Sequence, residues 1–531
     1  MTGAHGSRPG AHPASRPVLG AAALLLAAAV LHPPARLTAQ ARPADWPHYG
    51  RDAGGTKYSP LTTIDRTNVD RLEVAWTWHT GDRAIPGPRQ PVPGQGVRPG
   101  NFEVTPLVVN DTMYLSTPYN RVVALDAGSG RVLWEHDPGT VEWGQPPNGT
   151  GLVHRGVALW TGTGPDGRPE RRVFLNTRWR LVALDAATGR PVRGFGGGDG
   201  EIDLTEHLLW KTNRLHYTQT SPPVVFEDLV ILGNGVWDGF VYEKDPPGNI
   251  LAFDARSGEL RWRFNLIPQE GEPGVETWED GSWRVTGHTN AWAPMTLDPE
   301  RGLLYVPVGT PSNDYYGGHR PGDNLYAEAV VCLDARTGER AWHFQTVRHG
   351  LWDYDLPGAP VLLPLEVDGR RIDAVAAAGK TGFLYVFDRE SGEPVWPIEE
   401  RPVPGSDVPG ERAAPTQPFP TKPPPFARQG FTEEAVVDFT PEIRERALRL
   451  LRLYRTGPLY TPPSVRGTVV MPGIIGGANW GGPAADPTTG VVYVKSTERP
   501  SLMAVGLADT TRVEGDYALD RGRRSLSLDG L

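Results

Sequence analysis

Cysteine is almost absent from this 531-residue chain: Cys332 is the only one. A single thiol excludes an intramolecular disulfide, a zinc site built on cysteines and the C-x-x-C-H needed to attach a c-type haem. It also excludes an N-terminal lipid anchor on cysteine. Cys332 lies in the apolar stretch AVVCLD, where a small buried hydrophobe is the plain expectation. Runs of basic residues are missing too, and the net charge is -9, so nucleic acid is not an expected partner. No apolar run is long enough to cross a bilayer. The longest, Val18 to Leu31, follows Arg8 and Arg16 and precedes small residues at Ala39 and Ala41, the layout of a secretory signal. Residues 1–41 are therefore predicted to be a signal peptide, and the remainder, 42–531, a periplasmic or secreted domain without a transmembrane span.

What the chain has in quantity is glycine (64), proline (54) and tryptophan (17), the composition of a loop-rich all-β protein. One pattern recurs five times, around Asp126, Asp185, Asp254, Asp334 and Asp388. Each copy has an apolar strand ending on the aspartate, a turn glycine four residues on, and a second strand. That is a β-hairpin with its turn chemistry written in. Eight residues after the aspartate stand Trp134, Trp262, Trp342 and Trp396, with Arg193 in the second copy. The spacing between copies allows one four-stranded sheet each. Such sheets cannot cover both faces alone and pack radially, which predicts a β-propeller. Glu227-Asp228 and Pro299 to Gly302 read as turns of further hairpins. Residues 400–430 are too rich in proline for a sheet interior and read as an extended surface or lid segment. The run from Pro441 has helical periodicity, predicting a helix over 441–455. Residues 501–531 are polar and weakly periodic.

In a propeller the uncommon residues of interest are those in loops between sheets. The segment TVRHGLWDYDLPG (346–358) places His349, Trp352, Asp353 and Asp355 close together after the fourth copy. An isolated aspartate there is more often a turn or cap residue than a catalyst. Lys380 sits in AAGKTG, but the G-x-x-x-x-G-K spacing of a phosphate loop is absent.

These repeats, together with WPHYGRDAGGTKYSPL, NFEVTPLVV, HRGVALW, NAWAP, LWDYDLP, GKTG and NWGGPAADPTTG, resemble the pyrroloquinoline quinone (PQQ)-dependent dehydrogenases, nearest to the glucose dehydrogenase branch. The likeness covers Trp46 to about Lys495. It implies a quinoprotein-type propeller, eight-bladed in that family, with the quinone stacked in the central channel beside calcium or magnesium. By the same resemblance Asp353 is the expected catalytic base and Lys380 the cation that stabilises charge on the quinone oxygens. Trp292 is the expected floor under the cofactor, where an ordinary core tryptophan would otherwise be assumed. Arg155 and Glu103 are expected polar contacts to PQQ, which carries three carboxylates. Asp238, Asp353 and Ser312, or Thr310 in place of Ser312, are the expected oxygen ligands of the metal. Val153-His154 stand where the alcohol-oxidising branch has adjacent cysteines, which favours a sugar or polyol substrate. Electrons are expected to pass to a separate quinone or cytochrome. No further copy of the repeat follows Lys495, which predicts a C-terminally short ring. The competing readings are an inactive truncated enzyme and a non-catalytic propeller scaffold.

Overall fold

The computed structural model describes residues 42, 44–147, 150–164, 167–235, 245–510 and 515–520. Four consecutive four-stranded antiparallel sheets run from Leu107 to Gln345. The first contains β1 (Leu107–Val109), β2 (Thr112–Ser116), β3 (Val122–Asp126) and β4 (Val132–His136). The second contains β5 (Ala158–Thr163), β6 (Pro169–Thr177), β7 (Arg180–Asp185) and β8 (Glu201–Asp203). The third contains β9 (Val224–Phe226), β10 (Leu229–Leu232), β11 (Ile250–Asp254) and β12 (Leu260–Phe264). The fourth contains β13 (Thr296–Asp298), β14 (Leu303–Pro307), β15 (Ala329–Asp334) and β16 (Arg340–Gln345). A fifth sheet has three strands, β17 (Val361–Val367), β18 (Arg370–Ala378) and β19 (Leu384–Asp388). All are simple meanders, and the turns at Glu227-Asp228 and 299–302 join β9 to β10 and β13 to β14.

The radial arrangement follows from the two-residue period of a strand. In the second sheet Val173, Leu175, Val182 and Leu184 face the first sheet, packing with Leu107, Tyr114 and Ala124. Phe174, Leu181 and Ala183, one residue out of phase, face the third sheet and meet Val230, Leu251 and Phe253. Ile231, Ile250 and Ala252 then pack on Leu304, Val306 and Val331 of the fourth. The second and third sheets are thus buried on both faces between their neighbours, as propeller blades must be, and the β-propeller expectation holds.

The repeated motif joins the blades. Each aspartate closes its turn by accepting N–H groups, as Asp126 Oδ1 does from Ser129 at 2.9 Å. Trp134 Nε1 donates to the carbonyl of Ala186 in the next turn at 3.0 Å, and its ring covers Gly189. Trp262 and Trp342 repeat this on Ala335 with Gly338 and on Arg389 with Gly392. Trp76, outside the five copies, does the same on Ala127 and Gly130. Where Arg193 replaces tryptophan, the following turn glycine, Gly258, is covered by the backbone of Gly196, and Gly196 N–H donates to Ser257 O at 3.0 Å. Trp396 packs instead against the apolar cluster of β17–β19.

Three expectations are corrected. The fifth copy lacks its fourth strand, because Pro394 falls where the ladder would continue and only an isolated bridge to Phe387 forms. Pro191 does the same in the second copy, delaying β8 to residue 201. The proline-rich stretch is not free of sheet: β20 (Ile398–Pro402) pairs with β21 (Thr416–Pro420), whose prolines sit on a two-stranded edge. The helix α1 (Pro441–Leu451) begins with Thr440 as N-cap and proline in its first turn but ends four residues short of 455. Leu453 and Tyr454 N–H already bond three residues back, which tightens and stops the last turn.

Strands also continue past Lys495. After β22 (Thr468–Val470), β23 (Ala484–Asp486) and β24 (Val491–Tyr493) come β25 (Ser501–Met503), β26 (Val505–Leu507) and β27 (Tyr517–Leu519). β25 pairs with β22 and buries Leu502 and Met503, an apolar pair hidden in a polar average. At the other end, residues 46–56 run across the inner strands. Trp46 pairs with Val108, Ala53 O accepts from Leu297, Gly54 O from Leu362 and Thr56 O from Ala485. No helix among the described residues is long and apolar enough to cross a membrane.

Candidate active site

In a meander of four strands, the starts of the first and third and the ends of the second and fourth share one end of the sheet. The five D-x-x-x-G turns lie at the opposite end. Asp353 follows β16 and precedes β17, Lys380 follows β18, Trp292 precedes β13 and Thr310 follows β14. Glu328 precedes β15, Arg155 precedes β5 and Glu103 precedes β1. All seven therefore belong to the same end of the propeller.

Asp355 is the hub. Its Oδ2 accepts from Lys380 Nζ at 2.8 Å and Trp292 Nε1 at 3.0 Å. Its Oδ1 accepts from Thr310 N–H at 2.6 Å and Thr310 Oγ1 at 2.9 Å. Lys380 Nζ also donates to Asp353 Oδ1 at 2.6 Å. Burial alone would push the Asp355 carboxyl up; the Lys380 ammonium and these hydrogen bonds outweigh it and hold it below the usual carboxylate range. Burial opposes the charge on Lys380, but the two carboxylates prevail and its pKa is raised. The lysine stem is clamped from behind. Gly477 N–H donates to Lys380 O at 2.7 Å, and Gly476, at φ +77°, passes so near that a Cβ there would stand 2.4 Å from Lys380 Cγ. Asp353 itself has φ +58°.

Trp292 is a half-buried plate whose carbonyl is fixed by Thr220 Oγ1 at 2.7 Å and Ser221 Oγ at 2.6 Å. The Arg155 guanidinium lies 5.2 Å from its ring centroid and 5.3 Å from that of Trp480, between two indoles. Arg155 Nη2 donates to Glu103 Oε2 at 3.0 Å and Nη1 to Thr220 O at 3.0 Å, while buried Nε has no partner. Burial pulls this guanidinium below its usual range against the opposing pull of Glu103. Lys380 Nζ is 5.8 Å from the same Trp292 ring.

The structure thus brings Asp353, Lys380, Trp292, Arg155 and Glu103 into one connected set. Ser312 is not joined to it by its recorded contact, which is its carbonyl accepting from His319 Nε2 at 3.0 Å; the hydroxyl that reaches the carboxylates is that of Thr310. Asp238 lies outside the described residues, among which no three carboxylate, imidazole or thiol groups converge as a metal site. Sequence reasoning assigned no role to Asp355, Glu328 or Trp480. Glu328 is fully buried, has Oε1 3.2 Å from Thr310 Oγ1, and is pushed up to about 8 by burial and by Asp355. Its signal in the sequence is an acid directly before the wholly apolar strand AVVCL.

Residues 46–524 match the family model of the PQQ-type glucose/ethanol/alcohol dehydrogenase β-propeller domain. The chain belongs to this quinoprotein dehydrogenase family. The match runs beyond Lys495, in accord with strands β25–β27. The quinoprotein glucose dehydrogenase of Escherichia coli is 34% identical over 481 residues, 88% of this chain and 57% of that protein. The quinate/shikimate dehydrogenase (quinone) of Acinetobacter baylyi is 32% identical over 472 residues, 85% of this chain and 56% of that protein. Among solved structures, the quinohemoprotein alcohol dehydrogenase of Comamonas testosteroni superposes with a TM-score of 0.62 at 26% identity, covering 88% of this chain and 60% of that one. The chain spans less than two thirds of the length of these quinoproteins.

The residues present fit the family cofactor. An indole plate flanked by an arginine with an unpartnered nitrogen and by a buried lysine suits a planar ligand bearing carboxylates and quinone oxygens.

Proposed function

We propose that the protein is an exported PQQ-dependent dehydrogenase that oxidises a hydroxyl of a sugar, polyol or other alcohol. The observation that carries this reading is the junction of Asp353, Lys380 and Asp355 beside Trp292, with Arg155 over the same ring. When bound, PQQ supplies the two-electron acceptor for the hydrogen leaving the carbinol carbon. Asp353 is the base. Its side chain is 19% exposed against 7% for Asp355, so Asp353 is the carboxylate that meets a substrate hydroxyl, while Asp355 is sealed behind it. Lys380, kept cationic by both carboxylates, would supply positive charge to the quinone oxygens. Arg155, with Glu103 and Thr220 fixing its orientation, holds a cofactor carboxylate.

A divalent cation belongs to the same proposal. Asp353, Asp238 and Ser312 or Thr310 offer oxygen only, the donor chemistry of calcium or magnesium. The relatives named above act on glucose and on quinate or shikimate, and others on glycerol. Residues 1–41 are taken as the export signal, and electrons as leaving to a separate quinone or cytochrome.

The test is titration of the purified protein with PQQ and calcium, followed by dye-linked oxidation of glucose, glycerol and quinate. Asp353→Asn is expected to lower turnover by about 10²-fold or more while leaving quinone binding in place. Asparagine tolerates the left-handed backbone at this position, so the loop is preserved. Undiminished turnover in this variant rejects the assignment of the base.

A further inference from the structure

Beside the Glu103–Arg155 pair, at the end of the propeller that carries the site, lies a cavity of about 530 Å³ lined by Arg89, Arg98, Asn101, Glu103 and Gln145, among others. Its volume falls in the range of small-molecule pockets. Its charge is one-sided. Glu103 is the one acid among the described lining residues, and Arg155 occupies it at 3.0 Å. The Arg89 and Arg98 side chains are exposed, and no carboxylate among the described residues pairs with either. Gln145 ties the two arginine-bearing segments into one rim: its Oε1 accepts from Arg98 N–H at 2.8 Å and its N–H donates to Gln90 O at 2.9 Å.

A third guanidinium stands behind this wall. Arg178 is 2% exposed, donates through Nη2 to the carbonyl of Gly144, the neighbour of Gln145, and leaves Nε and Nη1 without partners. An uncompensated buried guanidinium is costly, and its field favours an anion in front of it. On a chain of net charge -9, two exposed arginines without acidic partners at one opening, with the buried Arg178 bonded to the backbone next to Gln145, are a local excess of the opposite sign.

We propose that this cavity receives the substrate and selects a hydroxy compound bearing a carboxylate, a sugar acid or cyclic polyol acid, over a neutral sugar. The proposal rests on the dehydrogenase reading. Arg89 and Arg98 take the carboxylate through paired N–H donors, and the neutral amides of Asn101 and Gln145 serve the hydroxyls.

The experiment is calorimetric titration of the PQQ- and calcium-loaded protein with quinate against myo-inositol and with gluconate against sorbitol, at low and high salt. It is repeated on the Arg89→Met/Arg98→Met double variant, with dye-linked oxidation of the same compounds in parallel. The expected result is binding at least about tenfold tighter for each carboxylate, an advantage reduced by salt and lost in the double variant. Equal or tighter binding of the neutral polyols overturns the proposal, as does a carboxylate preference that survives the double substitution. Oxidation of neutral sugars without carboxylate preference overturns it and leaves the dehydrogenase reading standing. Arginine-dependent carboxylate binding with no oxidation of any compound upholds the cavity's ligand class and removes the dehydrogenase reading.

Discussion

Asp353 and Asp355 are two residues apart and share one lysine, yet their surroundings divide their work. Every acceptor position described for Asp355 is filled by a donor that is itself buried or half-buried. Converting it to asparagine turns one acceptor edge into a donor facing other donors. Asp355→Asn is therefore expected to destabilise the fold by about 3–5 kcal/mol, the range for breaking a buried ion pair from one side. Asp353→Asn leaves Lys380 its second carboxylate and an amide oxygen to donate to, and is expected to cost less than Asp355→Asn. Urea unfolding of the two variants checks the difference; equal costs would mean that Asp355 is not the hub. This division was not legible in the sequence. WDYD shows two equivalent acids in a loop, and only the long-range partners Trp292 and Thr310, 63 and 45 residues away, distinguish them. Resemblance supplied Asp353, Lys380 and Trp292. Glu328 was obscured because a buried acid before an apolar strand carries no motif.

At the level of the element, the turn of the repeated hairpin was legible in all five copies because its chemistry is local, aspartate accepting the turn N–H groups and glycine taking the positive φ, while the second strand follows directly in three of them. The inter-blade contact is what the motif alone does not show. Tryptophan of one copy docks on glycine of the next, so a partner lies about 60 residues on, and Trp76 escaped notice because no D-x-x-x-G turn precedes it. The turn at Asp486, with Gly490 four residues later, reads as strand and turn but not as a copy of the repeat, because Val494 stands in the tryptophan position. The contact predicts different costs for two glycines of nearly equal backbone angle. Gly189, at φ +71°, would put a Cβ 2.4 Å from Trp134 Cε3, whereas Gly369, at φ +72°, has nothing within 4 Å. Gly369→Ala should cost about 1–2 kcal/mol from the backbone alone. Gly189→Ala should cost about 1–3 kcal/mol more, from overpacking against the ring. Thermal or urea unfolding separates them, and indole fluorescence should change only in Gly189→Ala.

For the whole molecule, the thread of residues 46–56 joins the inner strands of β1, β13, β17 and β23, so protonation at any blade is felt as loss of one cooperative structure. Three imidazoles on the site end are held below their ordinary range. His154 is pulled down to about 4, His288 to about 3 and His319 to about 4, in each case chiefly by burial, against which the Asp245 carboxylate pulls at 3.6 Å from His288 Nε2. His154 is held neutral between Ser116 Oγ and Asn176 Oδ1, with Nε2 at 3.1 Å from the latter. In the unfolded chain each would titrate near about 6.5. Between about 6.5 and about 4 the unfolded state binds protons that the native state refuses. Stability from these groups is therefore complete above about 6.5 and is lost as pH falls through that window. Each proton contributes a slope of about 1.4 kcal/mol per pH unit where it is fully bound only in the unfolded chain. Glu328 opposes this. Its carboxyl, raised to about 8, holds a proton in the native state that the unfolded chain releases above about 4.5, so its contribution falls as pH rises from about 4.5 to about 8. Three imidazoles outweigh one carboxyl below about 6. Urea midpoints measured from about pH 7 down to about pH 5 should fall, and His154→Gln, which keeps hydrogen bonding without the proton site, should flatten that fall by about one proton's slope. A midpoint that rises toward pH 5 would mean that the imidazoles are charged in the folded protein.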